Sequence, residues 1–78
     1  GAVEPENLDD EASRLLAADF AALRSDWPTA FSLATEVVRT TSGDARESAR
    51  LQALDFFLIA GDDPSVPAAR SALATALF

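Results

Sequence analysis

The 78 residues amount to 8.2 kDa, and a chain of this length buries only about 60% of the surface that its unfolded form exposes, so we expect one domain with a small core. The chain has no cysteine and no histidine, which removes the usual zinc and haem ligands and the common nucleophile–histidine pairs. Thirteen acidic against six basic residues give a net charge of −7, which disfavours nucleic acid and anionic membranes as partners. We therefore predict a non-catalytic protein without a cofactor or a metal.

The amino-terminal residues predict a leader rather than part of the fold. The chain contains no methionine, starts Gly1-Ala2 and continues into acidic residues, as in a domain excised from a longer protein with a short cloning remnant. We assign residues 1–7 to a flexible leader and residues 8–78 to a single helical domain.

Apolar periodicity predicts the first two helices. The first should run from Leu8 to near Ser25, with one apolar face formed by Leu8, Ala12, Leu15, Leu16, Phe20 and Leu23. Asp26 can cap a second helix, and Pro28 suits its first turn. That helix should end near Thr41 and bury Ala30, Phe31, Ala34, Val37 and Val38. Trp27 is expected to cover the core.

A third helix follows Gly43, which suits a left-handed position after a helix, and Asp44 with Glu47 resembles a capping box. Residues 53–60 are apolar nearly all round, so we expect this helix at the centre of the core, in the more stable hairpin of residues 44–78. Leu58→Ala should then cost about 2–5 kcal/mol. Phe56 and Phe57 diverge by about 100° and should serve two contacts.

The last helix should follow the break at Gly61. Asp62 or Asp63 can cap it, and Pro67 either leaves one hydrogen bond missing or delays the regular helix to Ser65-Val66. Its apolar face comprises Val66, Ala69, Leu73, Ala76 and Leu77. Because short connections make neighbouring helices antiparallel, the sequence predicts an all-α fold of about four helices in two hairpins.

Two hairpins of this length fit two tetratricopeptide units of about 34 residues. Ala18 and Ala30 stand twelve apart, matching the small pair that lets two helices of such a unit approach closely, and Val37 follows seven later. The pattern alone also allows an unrelated small helical bundle.

The carboxy-terminal half resembles one family more specifically. Its features are the segment Glu36 to Thr41, Gly43-Asp44, Leu54-Asp55-Phe56-Phe57, and an ending of the form Asp-Pro-x-Val-x-x-Ala-Arg-x-x-Leu-Ala-x-Ala-Leu-Phe at residues 63–78. Residues 12–78 are thus similar to the tetratricopeptide-like domain of bacterial thioredoxin-fold co-chaperones, the chaperedoxins.

The resemblance implies a cytoplasmic bacterial parent with an amino-terminal thioredoxin-like domain, which binds unfolding clients and passes them to the bacterial chaperonin. In that family the last helix docks on the chaperonin, which implies Arg70, Leu77 and Phe78 as partner-binding residues, with Leu73 facing inward. The alternative is a free-standing helical interaction or dimerisation module without a chaperone role.

Overall fold

Four α-helices follow one another in the part of the chain that the computed structural model describes, residues 11–77. They are α1 (Glu11–Leu23), α2 (Trp27–Thr40), α3 (Gly43–Ala60) and α4 (Val66–Leu77). All regular structure in these residues is helical, which confirms the predicted all-α fold. The expected leader of residues 1–7, Leu8 at the start of the first predicted helix and Phe78 at the end lie outside the described residues.

The centre of the domain is α2. This helix packs against α1, α3 and α4, whereas the direct contacts of α3 with α1 and with α4 are much smaller. Its buried residues are Trp27, Ala30, Phe31, Ala34, Val37 and Val38. The prediction that α3 is central is therefore wrong.

The reason lies in which residues of α3 are covered. Only one face of this helix is buried, through Ala49, Ala53, Phe56 and Phe57. Leu58 and Ile59 belong to the apolar run but face away, and they remain 81% and 70% exposed. The apolar run therefore predicted more burial than α3 has, because no other described helix covers its outer side.

Four aromatic rings join α2 to α3. Phe31 stands between Trp27 and Phe57, with ring centroids 5.8 and 4.9 Å away, and Phe56 lies 5.9 Å from Trp27 and 6.4 Å from Phe31. Both phenylalanines of the α3 pair are buried, and Phe57 also contacts α4, where Arg70 lies over its ring. Trp27 is 7% exposed, as predicted for a residue that covers the core.

The apolar face predicted for the first helix is largely not the packed one. Ala18 and Ala21 are fully buried, whereas Leu16, Phe20 and Leu23 are 56%, 54% and 81% exposed. Small side chains let two helix backbones approach closely, so the alanine face turns towards α2 and the larger side chains turn outwards.

The turn between α1 and α2 closes α1 with a Schellman motif. The Asp26 N–H donates to the Ala21 carbonyl at 2.8 Å, and the Ser25 N–H donates to the Ala22 carbonyl at 2.9 Å. Ser25 occupies the left-handed position at φ 60°, where glycine is usual. Pro28 lies in the first turn of α2 as predicted, but the Asp26 side chain makes no cap hydrogen bond.

The turn between α2 and α3 differs in detail from its prediction. Gly43 has the expected positive φ of 62°, but it already opens α3, after Ser42 at the cap position. The capping box of Asp44 and Glu47 does not form, because the Glu47 carboxylate accepts from the Arg50 guanidinium at 3.0 and 2.6 Å. These hydrogen bonds lower the pKa of Glu47.

The turn between α3 and α4 follows one of the two predicted forms. Gly61 leaves α3 at φ 63° and donates to the Phe57 carbonyl at 3.1 Å. The Asp63 carboxylate accepts from the Ser65 N–H at 3.0 Å and from its hydroxyl at 2.5 Å. Regular helix begins at Val66, so Pro67 occupies the first turn, where its missing N–H costs little.

Asp63 predicts an acid-sensitive turn. The Ser65 hydroxyl, and next the Ser65 N–H, lower the pKa of Asp63 below its ordinary value of 3.8. A carboxylate with a lowered pKa in the folded state contributes stability above its unfolded pKa, and that contribution is lost as the pH falls through the folded value. The Asp63→Asn side chain keeps an acceptor oxygen but does not titrate. The free energy of unfolding of this variant should therefore fall less than that of the unsubstituted chain between pH 5 and strongly acidic solution. Urea unfolding followed by circular dichroism checks this, and an equal fall in both proteins would contradict it.

Leu58 supplies a test of which helix is central. Because its side chain is 81% exposed, Leu58→Ala should change the free energy of unfolding by no more than about 0.5 kcal/mol, the ordinary range for surface changes. This replaces the larger cost expected from the apolar run. Thermal unfolding of the variant measures it, and a loss above about 2 kcal/mol would return α3 to the centre of the core.

Candidate protein-binding groove

An apolar groove lies between α3 and α4. We call it the α3–α4 groove, and it has a volume of about 510 Å³. It is lined by Leu54, Phe57, Leu58, Arg70, Leu73, Ala74 and Leu77. The groove exists because α3 and α4 both pack on α2 and leave the space between their own outer sides uncovered.

Two of the three partner-binding residues predicted from the sequence meet in this groove. Arg70 and Leu77 are seven residues apart, which places them on one side of α4, and both line the α3–α4 groove. Leu73 is 5% exposed, so its predicted inward orientation is confirmed. Phe78 follows Leu77 directly but lies outside the described residues.

Arg70 is the sole charged residue of the groove lining. Its guanidinium carbon stands 5.5 Å from the centroid of the Phe57 ring, within the range of a cation–π contact. Within residues 11–77 no carboxylate forms an ion pair with Arg70, since the two ion pairs there join Glu36 to Arg39 and Glu47 to Arg50. The groove therefore combines apolar walls with one positive charge that has no acidic partner in these residues.

The far end of α4 is held in place by α3. Arg46 donates from Nη2 to the Leu77 carbonyl at 2.8 Å, across 31 residues of sequence. This hydrogen bond satisfies one of the carbonyls that have no partner at a helix carboxyl end, where a cation is also favourable. Leu77 itself is half-buried against the core, so its backbone is positioned while its side chain lines the groove.

Sequence reasoning missed the α3 side of this groove. Leu54, Phe57 and Leu58 were recognised as apolar, but the run from residue 53 to 60 was assigned wholly to the core. Their spacing of three and four places them on one side of α3, and that spacing was the available signal. The tertiary structure shows that this side stays open, because α3 and α4 make few direct contacts and Leu58 remains exposed.

Two further grooves are more polar. One of about 370 Å³ lies between α2 and α4, and it is lined partly by Ser32, Thr35, Glu36 and Arg39. The other, of about 390 Å³, lies at the turn before α4 and includes Asp62 and Asp63. Within residues 11–77 no three acidic side chains come close enough to hold a metal ion, and no helix is long and apolar enough to cross a membrane.

Four consecutive helices, of which α1 and α2 pack through buried alanines and α3 and α4 border an open apolar groove, are typical of a helical repeat protein. The family model described as tetratricopeptide repeat matches residues 2–78. The chain belongs to the tetratricopeptide repeat family, whose repeats are modules for binding other proteins. No curated protein and no solved structure gives a significant match.

Proposed function

We propose that this chain is the tetratricopeptide-like part of a bacterial thioredoxin-fold co-chaperone, and that its α3–α4 groove docks on the bacterial chaperonin and contributes to client binding. In this proposal Arg70 and Leu77 act together with Phe78, and an amino-terminal thioredoxin-like domain belongs to the parent protein. The observation that carries the proposal is the convergence of Arg70 and Leu77 in one open apolar groove at the chain's last helix.

The chemistry of the groove suits a helical or extended apolar segment of a partner protein. Leu58 is 81% exposed in the lining of this groove, whereas Phe57 and Leu73 form its floor because both are buried. Burial of apolar surface drives such docking, while Arg70 can pair with a partner carboxylate at the rim. An amphipathic helix laid in a groove is a common way for helical proteins to recognise a segment.

Binding to purified bacterial chaperonin, measured by surface plasmon resonance, tests the proposal. Leu58→Glu places a charge in the groove and should weaken binding at least about tenfold, which corresponds to about 1.4 kcal/mol. Arg70→Ala and deletion of Leu77 and Phe78 should weaken it in the same way. Circular dichroism of each variant establishes that it remains helical.

Ile59→Glu is the matched control. Ile59 neighbours Leu58 on α3 and is 70% exposed, but it does not line the groove, so the same change of charge there should leave the chaperonin affinity close to the parent's. Unchanged binding by Leu58→Glu would remove the groove from the docking surface. If the unsubstituted 78-residue chain does not bind the chaperonin at all, the result would favour the alternative, an interaction module without a chaperone role.

A further inference from the structure

The first and last helices of the described chain bury very different side chains. Among the buried apolar residues of this part of the chain, α1 contributes Ala18 and Ala21, whereas α4 contributes Val66, Ala69 and Leu73. Stabilisation by burial grows with the apolar area that is removed from water, and an alanine side chain offers only one methyl group. Burial therefore stabilises the packed position of α1 less than that of α4.

Contacts of α1 with helices other than α2 are few. Within residues 11–77, α1 packs on α2, touches α3 only slightly and does not contact α4. The side-chain amide of Gln52 on α3 donates to the Leu15 carbonyl at 3.0 Å and to an Asp19 carboxylate oxygen at 2.7 Å. We call these two hydrogen bonds the Gln52 clasp. Because Gln52 is not buried, water can replace both hydrogen bonds when α1 moves away, so the clasp stabilises only modestly.

The turn that joins α1 to α2 is strained. Ser25 has φ 60°, in the left-handed region that is unfavourable for a residue with a side chain. The Schellman hydrogen bonds of this turn use the carbonyls of Ala21 and Ala22, which belong to α1. They break when α1 unwinds, and Ser25 can then leave the left-handed region. Opening of α1 therefore releases this strain.

We propose that α1 is a strap that opens away from α2 as a unit, while α2, α3 and α4 stay folded. A segment with few buried apolar contacts opens at a lower free energy than the whole domain. The other helices keep their own contacts, because α3 and α4 both pack on α2, and Arg46 of α3 holds the Leu77 carbonyl at the end of α4. The inference is independent of the proposed function, since both walls of the α3–α4 groove remain on α2 when the strap opens.

Amide hydrogen exchange, followed by nuclear magnetic resonance on the unsubstituted chain, measures the opening of each helix. Under conditions in which the exchange rate reports the opening equilibrium, amides in the middle of α1 should open at least about tenfold more often than those of α2, a difference of about 1.4 kcal/mol. Amides of α4 should follow those of α2. Low urea concentrations should accelerate exchange in α2 more than in α1, because opening of α1 exposes less surface. Equal opening of α1 and α2 would overturn the proposal.

Two variants should shift the opening of α1 in opposite directions. Gln52→Ala removes the clasp and should raise the opening of α1 about fivefold, the effect of about 1 kcal/mol from hydrogen bonds of this kind. Ser25→Gly places at the turn the residue that adopts a positive φ without strain, so it should lower the opening of α1 about fivefold. A change in the same direction in both variants, or in neither, would contradict the strap.

Val66→Ala separates opening of the strap from unfolding of the whole domain. Val66 is 6% exposed on α4, a helix that does not contact α1 in the described residues. The substitution should destabilise the closed and the strap-open states equally, so α2 amides should open about tenfold more often while α1 amides keep their opening. The same increase in both helices would show that α1 opens only with the whole domain. Loss of chaperonin binding would overturn the proposed function alone, because this exchange is measured without the chaperonin.

Discussion

Replacing Phe31 by alanine should destabilise the domain by about 3–5 kcal/mol, the usual cost of removing a buried aromatic ring. Phe31 is 3% exposed, and its ring centroid lies within 6.4 Å of the ring centroids of Trp27, Phe56 and Phe57. Removal of its ring therefore leaves a cavity at the junction of α2 and α3. A domain of ordinary stability has only about 5–15 kcal/mol to lose, and a small one lies near the lower end. Much of the chain should therefore be unfolded in the variant at room temperature.

Urea unfolding followed by far-ultraviolet circular dichroism measures this loss. Phe20→Ala is the matched control, because it removes the same ring from α1 at a position that is 54% exposed. That variant should lose much less stability, since its ring leaves no enclosed cavity. Equal losses in the two variants would show that the aromatic cluster is not the centre of the core.

Enlarging Ala18 to leucine should destabilise the domain by about 1–3 kcal/mol, the usual cost of overpacking a filled core. Ala18 and Ala30 are both fully buried, on the two helices of the first hairpin. A leucine has no room there unless α1 moves away from α2, and such a movement would also loosen Ala21. Helix propensity cannot account for the loss, because alanine and leucine differ little on that scale.

Ala12→Leu is the control for this change, since Ala12 lies on the same helix and is exposed. Its unfolding midpoint should stay close to the parent's, and heteronuclear spectra of Ala18→Leu should show shifted resonances along both α1 and α2. A stability of Ala18→Leu equal to the parent's would mean that the alanine face does not set the distance between the helices.

The course of the helices was predictable because the signals that end helices are local. Gly43 and Gly61 both have the positive φ that their positions indicated, and Pro67 allowed regular helix only from Val66. The buried face of α2 was predicted residue by residue, because all five apolar positions recur at helical spacing and all are covered. Side-chain caps were less predictable. The Glu47 carboxylate accepts from Arg50 and does not form the predicted capping box with the backbone at the start of α3.

The candidate groove was predictable only in part. The side of α4 that carries Arg70 and Leu77 follows from helical periodicity, and the sequence placed these two residues together. On α3, spacing places Leu54 and Leu58 on one side of the helix, but it does not show whether that side is buried, because core leucines recur at the same spacing. Whether such a leucine is buried depends on the position of a helix that is distant in sequence.

The secondary structure, the all-α class and the inward faces of α2 and α4 follow from the amino-acid sequence, because each depends on spacing within one helix or on a residue at a turn. The central position of α2 and the packing of α1 through its alanines became visible only when the helices were seen together. Those choices depend on how closely two backbones can approach, and an apolar residue is equally compatible with a core and with an open groove. The exposed Leu23 and the exposed Leu58 result from that choice.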